Sequence, residues 1–191
     1  MGKEEILRKL LHLFALGVPF GILYLPRKLA IVLMLSITIG SLAFEILRTR
    51  ITFVNKLFTG IFGSFLRAEE SARFTGATFL LISGSICLIF FEKNVAFIAL
   101  SFMILGDAAA ALIGMNFGKI RIGKKSLEGS LACAVTCIVF WFFFPAGMSF
   151  VKCVSIAVST AILELLPLKI NDNLFVPIVT GTILELWMSS F

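Results

Sequence analysis

The feature that most constrains this chain is a succession of long apolar runs. A helix needs roughly 20 apolar residues to cross a bilayer core of about 30 Å, and most of the sequence consists of runs of about that length. Charged residues make up only 15% of the 191 residues, and the mean hydropathy is +1.05. An ordinary globular domain carries about 25% charged residues. The composition therefore excludes an ordinary water-soluble domain and predicts an integral membrane protein.

The apolar runs predict an all-α, polytopic helix bundle with about seven transmembrane helices, which forms a single integral membrane domain over residues 1–191. The predicted spans are residues 6–25, 28–47, 74–91, 95–116, 129–145, 149–167 and 173–190. Residues 51–66 place apolar side chains on one helical stripe and polar side chains elsewhere. That pattern is typical of an amphipathic helix that lies at the membrane interface.

The distribution of Lys and Arg orients the predicted spans. With seven spans, 13 of the 17 basic residues fall on one side of the membrane, and Arg27, Lys28, Lys93 and Lys152 fall on the other. If residues 51–66 also crossed, this asymmetry would shrink to nine against seven. Cytoplasmic loops carry the excess of basic residues. The pattern therefore predicts a cytoplasmic N-terminus, an external C-terminus and a cytoplasmic cluster of charged residues.

Asp107 is an acid inside the apolar stretch LGDAAAALIG. Counting from residue 95 at about 1.5 Å per residue places it roughly 18 Å along the fourth span. A charge at that depth is costly, so an intramembrane acid indicates a functional site. The alternative is a structural ion pair or a protonated acid that is hydrogen-bonded in the bundle. The small residues Gly106, Ala110 and Gly114 recur every four residues, which permits close contact with another helix.

The loop after the fourth span, GKIRIGKKS, combines glycines with lysines. It begins like a Walker A motif, but Lys125 stands where that motif needs Ser or Thr, so the match fails. Glycines and lysines beside a helix N-terminus nevertheless suit an anion. Ser126 is in position to cap the next helix, and Glu128 in its first turn could help hold a divalent metal that bridges phosphates. The alternative is a basic cytoplasmic loop without a ligand.

Further polar residues lie at the cytoplasmic ends of the predicted spans. Arg8 and His12 share one face of the first span, and Glu45 is three residues before Arg48 in the second. The other members of this group are Arg67, Glu70, Arg73, Glu164, Asp172 and Asn173. For each residue the alternative to a ligand-binding role is a structural one, either a helix-end salt bridge or an interhelical hydrogen bond. Together they favour an anionic, metal-bound and water-soluble substrate that meets a lipid.

GDAAAALIGMNFGK, followed by KKSLEGSLA and then by NDNLFVP, resembles the family of dolichol kinases, phytol kinases and yeast-type diacylglycerol kinases. RKLLH in the first span and the stretch from Arg67 to Gly76 are similar to that family too. The resemblance covers nearly the whole chain. It implies a phosphotransferase that moves the γ-phosphoryl group of CTP to a lipid hydroxyl at the cytoplasmic membrane face, with Mg²⁺ as cofactor.

The resemblance, the needs of phosphoryl transfer and the charged residues at the helix ends together give each candidate residue an expected role. The catalytic candidates are Asp107 and Asp172. The nucleotide-binding candidates are Lys119, Lys124, Lys125, Ser126, Gly129, Ser130 and Asn173. The metal-binding candidates are Asp107, Glu128 and Asp172. The candidates for contacts with the lipid or for support of the site are Arg8, His12, Glu45, Arg67, Glu70, Arg73 and Glu164.

The expected partners are CTP, a lipid alcohol and the bilayer, with no nucleic acid and with a homodimer as an open possibility. The expected acceptor is an isoprenoid alcohol, either polyprenol or dolichol or else phytol or geranylgeraniol, and diacylglycerol is the alternative. A small membrane transporter with Asp107 at its permeation site is the alternative from another class. A CDP-alcohol phosphotransferase would need several aspartates along one helix, and GDAAAALIG supplies one.

Overall fold

The computed structural model describes residues 3–65, 70, 73–167 and 170–189, and over them the chain is almost entirely helical. The helices are α1 (Lys3–Phe14), α2 (Gly17–Tyr24), α3 (Arg27–Arg50), α4 (Thr52–Phe62), α5 (Gly76–Phe90), α6 (Lys93–Phe117), α7 (Leu127–Phe143), α8 (Phe150–Leu165) and α9 (Asp172–Ser189). A 3-10 turn, Gly63–Phe65, follows α4. Between α6 and α7, two short strands, β1 (Arg121–Ile122) and β2 (Lys125–Ser126), pair antiparallel. The prediction of an all-α fold is confirmed, with this ladder as an addition.

Helix α6 forms the centre of the bundle. It packs against α7 and α9 along much of its length and against α1 and α2 elsewhere. Every residue from Val95 to Ile104 is buried, as expected for a helix that is apolar all round and enclosed by its neighbours. A Cβ on Gly106 would lie 2.5 Å from the Cys133 Sγ atom of α7. The predicted small-residue stripe is therefore a close helix contact.

Among the described residues, α3 and α6 are the two helices that are both long and apolar enough to cross a membrane. Helices α5 and α7 are apolar but shorter, at 15 and 17 residues. Together with the hydropathy of the whole chain, these helices indicate a membrane protein.

The first predicted span, residues 6–25, is two helices rather than one. Helix α1 ends at Phe14, and α2 begins at Gly17. Pro19 has no N–H to donate to the Ala15 carbonyl, so that carbonyl instead accepts from Val18 N at 2.9 Å. Proline is tolerated there because it lies in the first turn of α2. The break leaves α1 as a separate element that packs against α6.

Helix α4 covers most of the predicted interfacial segment, residues 51–66. None of its residues is buried, and Phe53, Leu57 and Ile61 are exposed.

Hydrogen bonds join α3 to α5. Thr38 Oγ1 lies 2.9 Å from Ser85 Oγ, and Ser41 Oγ lies 2.7 Å from Thr78 Oγ1. Such interhelical hydroxyl pairs are typical of packed membrane helices.

Candidate active site

A cavity of about 990 Å³ lies at the end of the bundle where α6 runs into the β1–β2 ladder. Its volume is at the upper end of the range for small-molecule sites, about 300–1,000 Å³. The described basic residues that line it are Arg8, Lys9, Arg73, Arg121, Lys124 and Lys125. The described acidic residues that line it are Glu70, Asp107, Glu164 and Asp172. Six basic side chains against four acidic ones give the described part of this wall a net positive charge, which suits an anionic ligand.

Asp107 projects from α6 into this cavity and meets α1. Lys9 Nζ lies 2.6 Å from Asp107 Oδ2, and His12 Nε2 lies 3.5 Å from the same oxygen. The Lys9 side chain is only 6% exposed and that of Asp107 only 17%. Burial of this carboxylate is tolerated because a charged partner from another helix accompanies it.

Asp172 begins α9 and meets the β1–β2 ladder. Gly123, with a φ of +62°, lies in the turn between the two strands, where glycine has no steric penalty. The turn brings Lys125 back toward the bundle, and its Nζ lies 2.9 Å from Asp172 Oδ2. Lys125 Nζ also contacts the backbone oxygen of Glu164 and lies 3.5 Å from Glu164 Oε1. One lysine thus joins the ladder to the end of α8 and the start of α9.

Glu164 stands between the two aspartates. A small inner cavity is lined by Asp107, Glu164 and Asp172 together. Ser130 Oγ donates to Glu164 Oε2 at 3.4 Å. Three carboxylates, from α6, α8 and α9, therefore converge on one region of the bundle, where Lys9, Lys125 and Ser130 contact them.

Ser126 caps α7, as predicted. Its Oγ accepts a hydrogen bond from Gly129 N at 3.1 Å. Both residues line the cavity. A Cβ on Gly129 would lie 2.6 Å from the Ala110 carbonyl oxygen of α6, so a glycine is required where α7 starts against α6.

Glu128 faces the loop rather than the cavity. Ile120 N donates to its carboxylate at 3.1 and 3.3 Å. Hydrogen bonds from the backbone N–H groups of Glu128 itself, Ile120 and Lys119 hold the pKa of the Glu128 carboxyl, just before the predicted fifth span, below its usual range. Glu128 and Lys119 are not among the described residues that line the cavity.

Asn173 joins two helices instead of facing the cavity. Its Nδ2 donates to the Gly76 carbonyl at 2.8 Å, and its own carbonyl accepts from Ser83 Oγ at 2.7 Å. The structure therefore brings part of the predicted nucleotide-binding set to the cavity wall, namely Lys124, Lys125, Ser126 and Gly129. Lys119, Ser130 and Asn173 lie outside the described part of that wall.

The predicted Glu45–Arg48 contact is a buried salt bridge. Arg48 Nη2 lies 2.6 Å from Glu45 Oε2, and the Arg48 guanidinium also donates to the carbonyls of Glu70 and Arg73 at 3.1 and 2.7 Å. Glu45 Oε1 accepts from Thr75 N at 3.0 Å. The pair does not line the cavity, but it holds the backbone beside Glu70 and Arg73, which do. Arg67 lies outside the described residues.

The carboxylates fit a metal that arrives with its substrate. The described residues contain no group of three or more His, Cys, Asp or Glu side chains that could hold a metal ion by themselves. Mg²⁺, however, is usually held by one or two carboxylates together with substrate phosphates. Asp107 and Asp172 supply two carboxylates on one cavity wall. Mg²⁺ binding stays a prediction, with these two residues as the ligands that the geometry favours.

Two of the described basic residues of the cavity had no predicted role. Lys9 lies three residues before His12, so helical spacing places both on one side of α1; the pairing with Asp107 spans 98 positions and is not visible in sequence. Arg121 faces Ser126 across the β1–β2 ladder, and two-residue strands leave no periodic signal.

Comparison with known proteins gives two distant similarities. The chain is 27% identical over 180 residues to an uncharacterized protein of Rickettsia prowazekii, which covers 90% of this chain and 88% of that protein. It is 27% identical over 166 residues to CTP-dependent diacylglycerol kinase 1 of Eremothecium gossypii. That match covers 78% of this chain, and the chain spans half the length of the kinase. No family model and no solved structure matches the chain. Over most of its length, the chain is thus distantly similar to a CTP-dependent lipid kinase.

Proposed function

We propose that this protein is a CTP-dependent lipid kinase, which transfers the γ-phosphoryl group of CTP to the hydroxyl of a membrane lipid. The observation that carries the proposal is the meeting of Asp107 and Asp172 in one cavity with a net basic wall, inside an apolar helical bundle. The distant similarity to a CTP-dependent diacylglycerol kinase supports the same class of reaction.

The basic wall would bind the phosphates. Phosphoryl transfer depends mainly on positioning and on neutralising charge at the phosphoryl oxygens. Lys124 and Lys125 project from the ladder beside the N-terminus of α7, whose dipole also favours an anion. Lys125 already lies against two acidic residues, so a phosphate would compete with Glu164 and Asp172 for its ammonium group.

The two aspartates would hold Mg²⁺ with the phosphates and orient the acceptor. The metal would supply positive charge for the developing negative charge. In the transfer, the bond between the γ-phosphorus and the bridging oxygen breaks, and CDP leaves. The acceptor oxygen forms the new bond to phosphorus, and its proton passes to the carboxylate of Asp107 or Asp172.

The membrane arrangement belongs to the proposal as well. Seven spans, with the N-terminus and the cavity on the cytoplasmic side and the C-terminus outside, account for the uneven distribution of basic residues. The apolar helices α3 and α6 support a membrane location. A lipid would keep its chain in the bilayer and present its hydroxyl sideways to the cavity.

The acceptor that the comparison favours is diacylglycerol, because the kinase that the chain resembles is named for that lipid. The sequence motifs also predict isoprenoid alcohols as acceptors, and these stay competing predictions: polyprenol or dolichol, and phytol or geranylgeraniol.

The test is a transfer assay with purified protein in detergent or vesicles. The protein is incubated with Mg²⁺ and γ-labelled CTP or ATP, and with diacylglycerol, polyprenol, phytol and geranylgeraniol in turn. We expect label to pass from CTP into one lipid, and its identity names the acceptor. If folded protein transfers no label from either nucleotide into any lipid, the kinase proposal is wrong. The hypothesis to test next is then a transporter with Asp107 at its permeation site.

A further inference from the structure

The bundle contains two different kinds of buried ion pair. In the Glu45–Arg48 pair, the side chains are 3% and 0% exposed, and the guanidinium also donates to backbone carbonyls. That pair holds the fold and stays away from the cavity. In the Lys9–Asp107 pair, both residues line the cavity. A purely structural tie between α1 and α6 has no need to face a ligand site, so the position of this second pair calls for another explanation.

The contacts of the second pair are directed at one oxygen. Lys9 Nζ and His12 Nε2 both approach Asp107 Oδ2, at 2.6 and 3.5 Å. An aspartate carboxylate otherwise rotates readily about its last torsion. A short charge-assisted hydrogen bond to one oxygen fixes the plane of the group. Lys9 is therefore placed to fix how the Asp107 carboxylate is presented to the cavity.

The site also contains a lysine of another kind. Lys125 is 24% exposed, comes from the ladder and contacts Glu164 as well as Asp172. Lys9 is only 6% exposed and comes from within α1. A phosphate can reach Lys125 from the open cavity more readily than it can reach Lys9. The two lysines are therefore suited to different tasks, Lys125 to binding and Lys9 to orientation.

We infer that Lys9 is a positioning residue: it fixes the Asp107 carboxylate in the orientation that receives the acceptor hydroxyl. The inference rests on the proposed kinase function and adds a residue to it. It makes α1 a part of the active site, although α1 is separated from α2 by the break at residues 15–16. Lys9 acts through Asp107 and need not touch the nucleotide.

The test separates positioning from binding and from folding. Lys9→Met, Lys9→Arg, Asp107→Asn and the double variant Lys9→Met/Asp107→Asn are purified beside Lys28→Met, an exposed lysine at the other end of the bundle, as the matched control. Thermal unfolding in detergent shows which variants are folded. The turnover number and the KM for CTP are measured with the labelled-CTP assay.

We expect Lys9→Met to lose about 100-fold in kcat, the loss that a misplacement of about 1 Å can cause, with the KM for CTP close to that of the wild type. Lys9→Arg keeps the charge but holds a carboxylate with a different geometry, so its kcat should fall between those of Lys9→Met and the wild type. The double variant should match Asp107→Asn, because a residue that acts only through Asp107 has no effect once that carboxylate is gone.

Other outcomes overturn the inference. A wild-type kcat in folded Lys9→Met would show that the orientation is set elsewhere. A raised KM with unchanged kcat would make Lys9 a binding residue. If Lys9→Met fails to fold, kcat of Asp107→Asn is compared with kcat of the double variant. A lower kcat in the double variant would mean that Lys9 acts independently of Asp107, which contradicts the inference. Absence of label transfer by the wild-type protein overturns the kinase proposal itself, and this inference with it.

Discussion

Each aspartate on the cavity wall is accompanied by a lysine from a different element. Lys9 of α1 meets Asp107 of α6, and Lys125 of β2 meets Asp172 of α9. Because burying a lone carboxylate in an apolar bundle is costly, these pairs offset part of the cost of placing the two acids there. In the proposed reaction, a metal that arrives with the phosphates would bind the carboxylates. The phosphates would bind the ammonium group of Lys125, which is more accessible than that of Lys9.

Asp107→Asn and Lys125→Ala should each lower the rate of phosphoryl transfer by about 100-fold or more, while the folded protein remains extractable in detergent. The first removes a carboxylate that would orient or deprotonate the acceptor, a role worth about 10²–10⁴-fold in rate. The second removes the ammonium that joins the ladder to α8 and α9. Label transfer from CTP is the measurement, with Glu92→Gln, an exposed acid at the other end of the bundle, as control. Activity retained in both variants would show that the site is assigned wrongly.

Arg48→Met should destabilise the protein by about 3–5 kcal/mol, because removal of one partner leaves Glu45 as a buried, unpaired charge. The side chain of Arg48 is fully buried, and its donors also reach the Glu70 and Arg73 carbonyls. Thermal unfolding in detergent measures the loss. Arg50→Met, at the exposed end of the same helix, should change the midpoint little. Equal midpoints for the two variants would contradict a structural role for Arg48.

At the scale of elements, the position of the site depends on how closely α7 approaches α6. A Cβ on Gly106 would lie 2.5 Å from Cys133 Sγ, and one on Gly129 would lie 2.6 Å from the Ala110 carbonyl oxygen. Both glycines therefore lie where α6 and α7 are in tight contact. The approach sets the start of α7, and with it the position of the ladder that carries Lys125.

Gly129→Ala should lower stability by about 1–3 kcal/mol, the usual cost of an overpacked contact. The added methyl group would meet a backbone oxygen of α6, which cannot move aside as a flexible side chain can. Gly40→Ala is the matched control, since a Cβ there meets no atom within 4 Å and alanine favours a helix over glycine by up to about 1 kcal/mol. The measurement is the midpoint of thermal unfolding of both variants. A Gly129→Ala midpoint as high as that of the wild type would contradict the tight contact.

Sequence patterns located the elements better than the contacts between them. Helical runs, the Ser126 cap and the Glu45–Arg48 pair are local features, with partners a few positions apart, and the structure confirms them. The β1–β2 ladder was missed because two-residue strands have no periodicity. The pairing of Lys9 with Asp107 was missed because it depends on how α1 packs against α6, which no local pattern encodes. The break before α2 was missed although Gly17 and Pro19 mark it.

At the scale of the whole molecule, charge is distributed unevenly between the two ends of the bundle. Of the 17 basic residues, 13 fall on the predicted cytoplasmic side, and that is the end at which the cavity lies. The asymmetry from which the orientation of the chain is predicted would thus also serve the binding of an anionic substrate.

Thiol labelling can test this orientation. The four cysteines, Cys87, Cys133, Cys137 and Cys153, are buried, so single introduced cysteines should dominate the signal. With a membrane-impermeant maleimide, we expect Lys119→Cys to react only from the cytoplasmic side and Lys28→Cys only from the outside. Both native side chains are exposed. Reaction of both positions from one side would overturn the predicted topology.

The contact between α1 and α6 has a consequence for biosynthesis. Lys9 leaves the ribosome 98 positions before Asp107, and chains are made and fold from the N-terminus. An aspartate at the centre of a helix opposes membrane insertion by about 2.5–3.5 kcal/mol. If α1 is already in place when α6 enters the bilayer, the Lys9 ammonium group can pair with Asp107 during insertion. In a glycosylation-reporter assay, α6 should therefore insert more completely behind wild-type α1 than behind α1 with Lys9→Met, and equal insertion would show that the partner arrives too late to help.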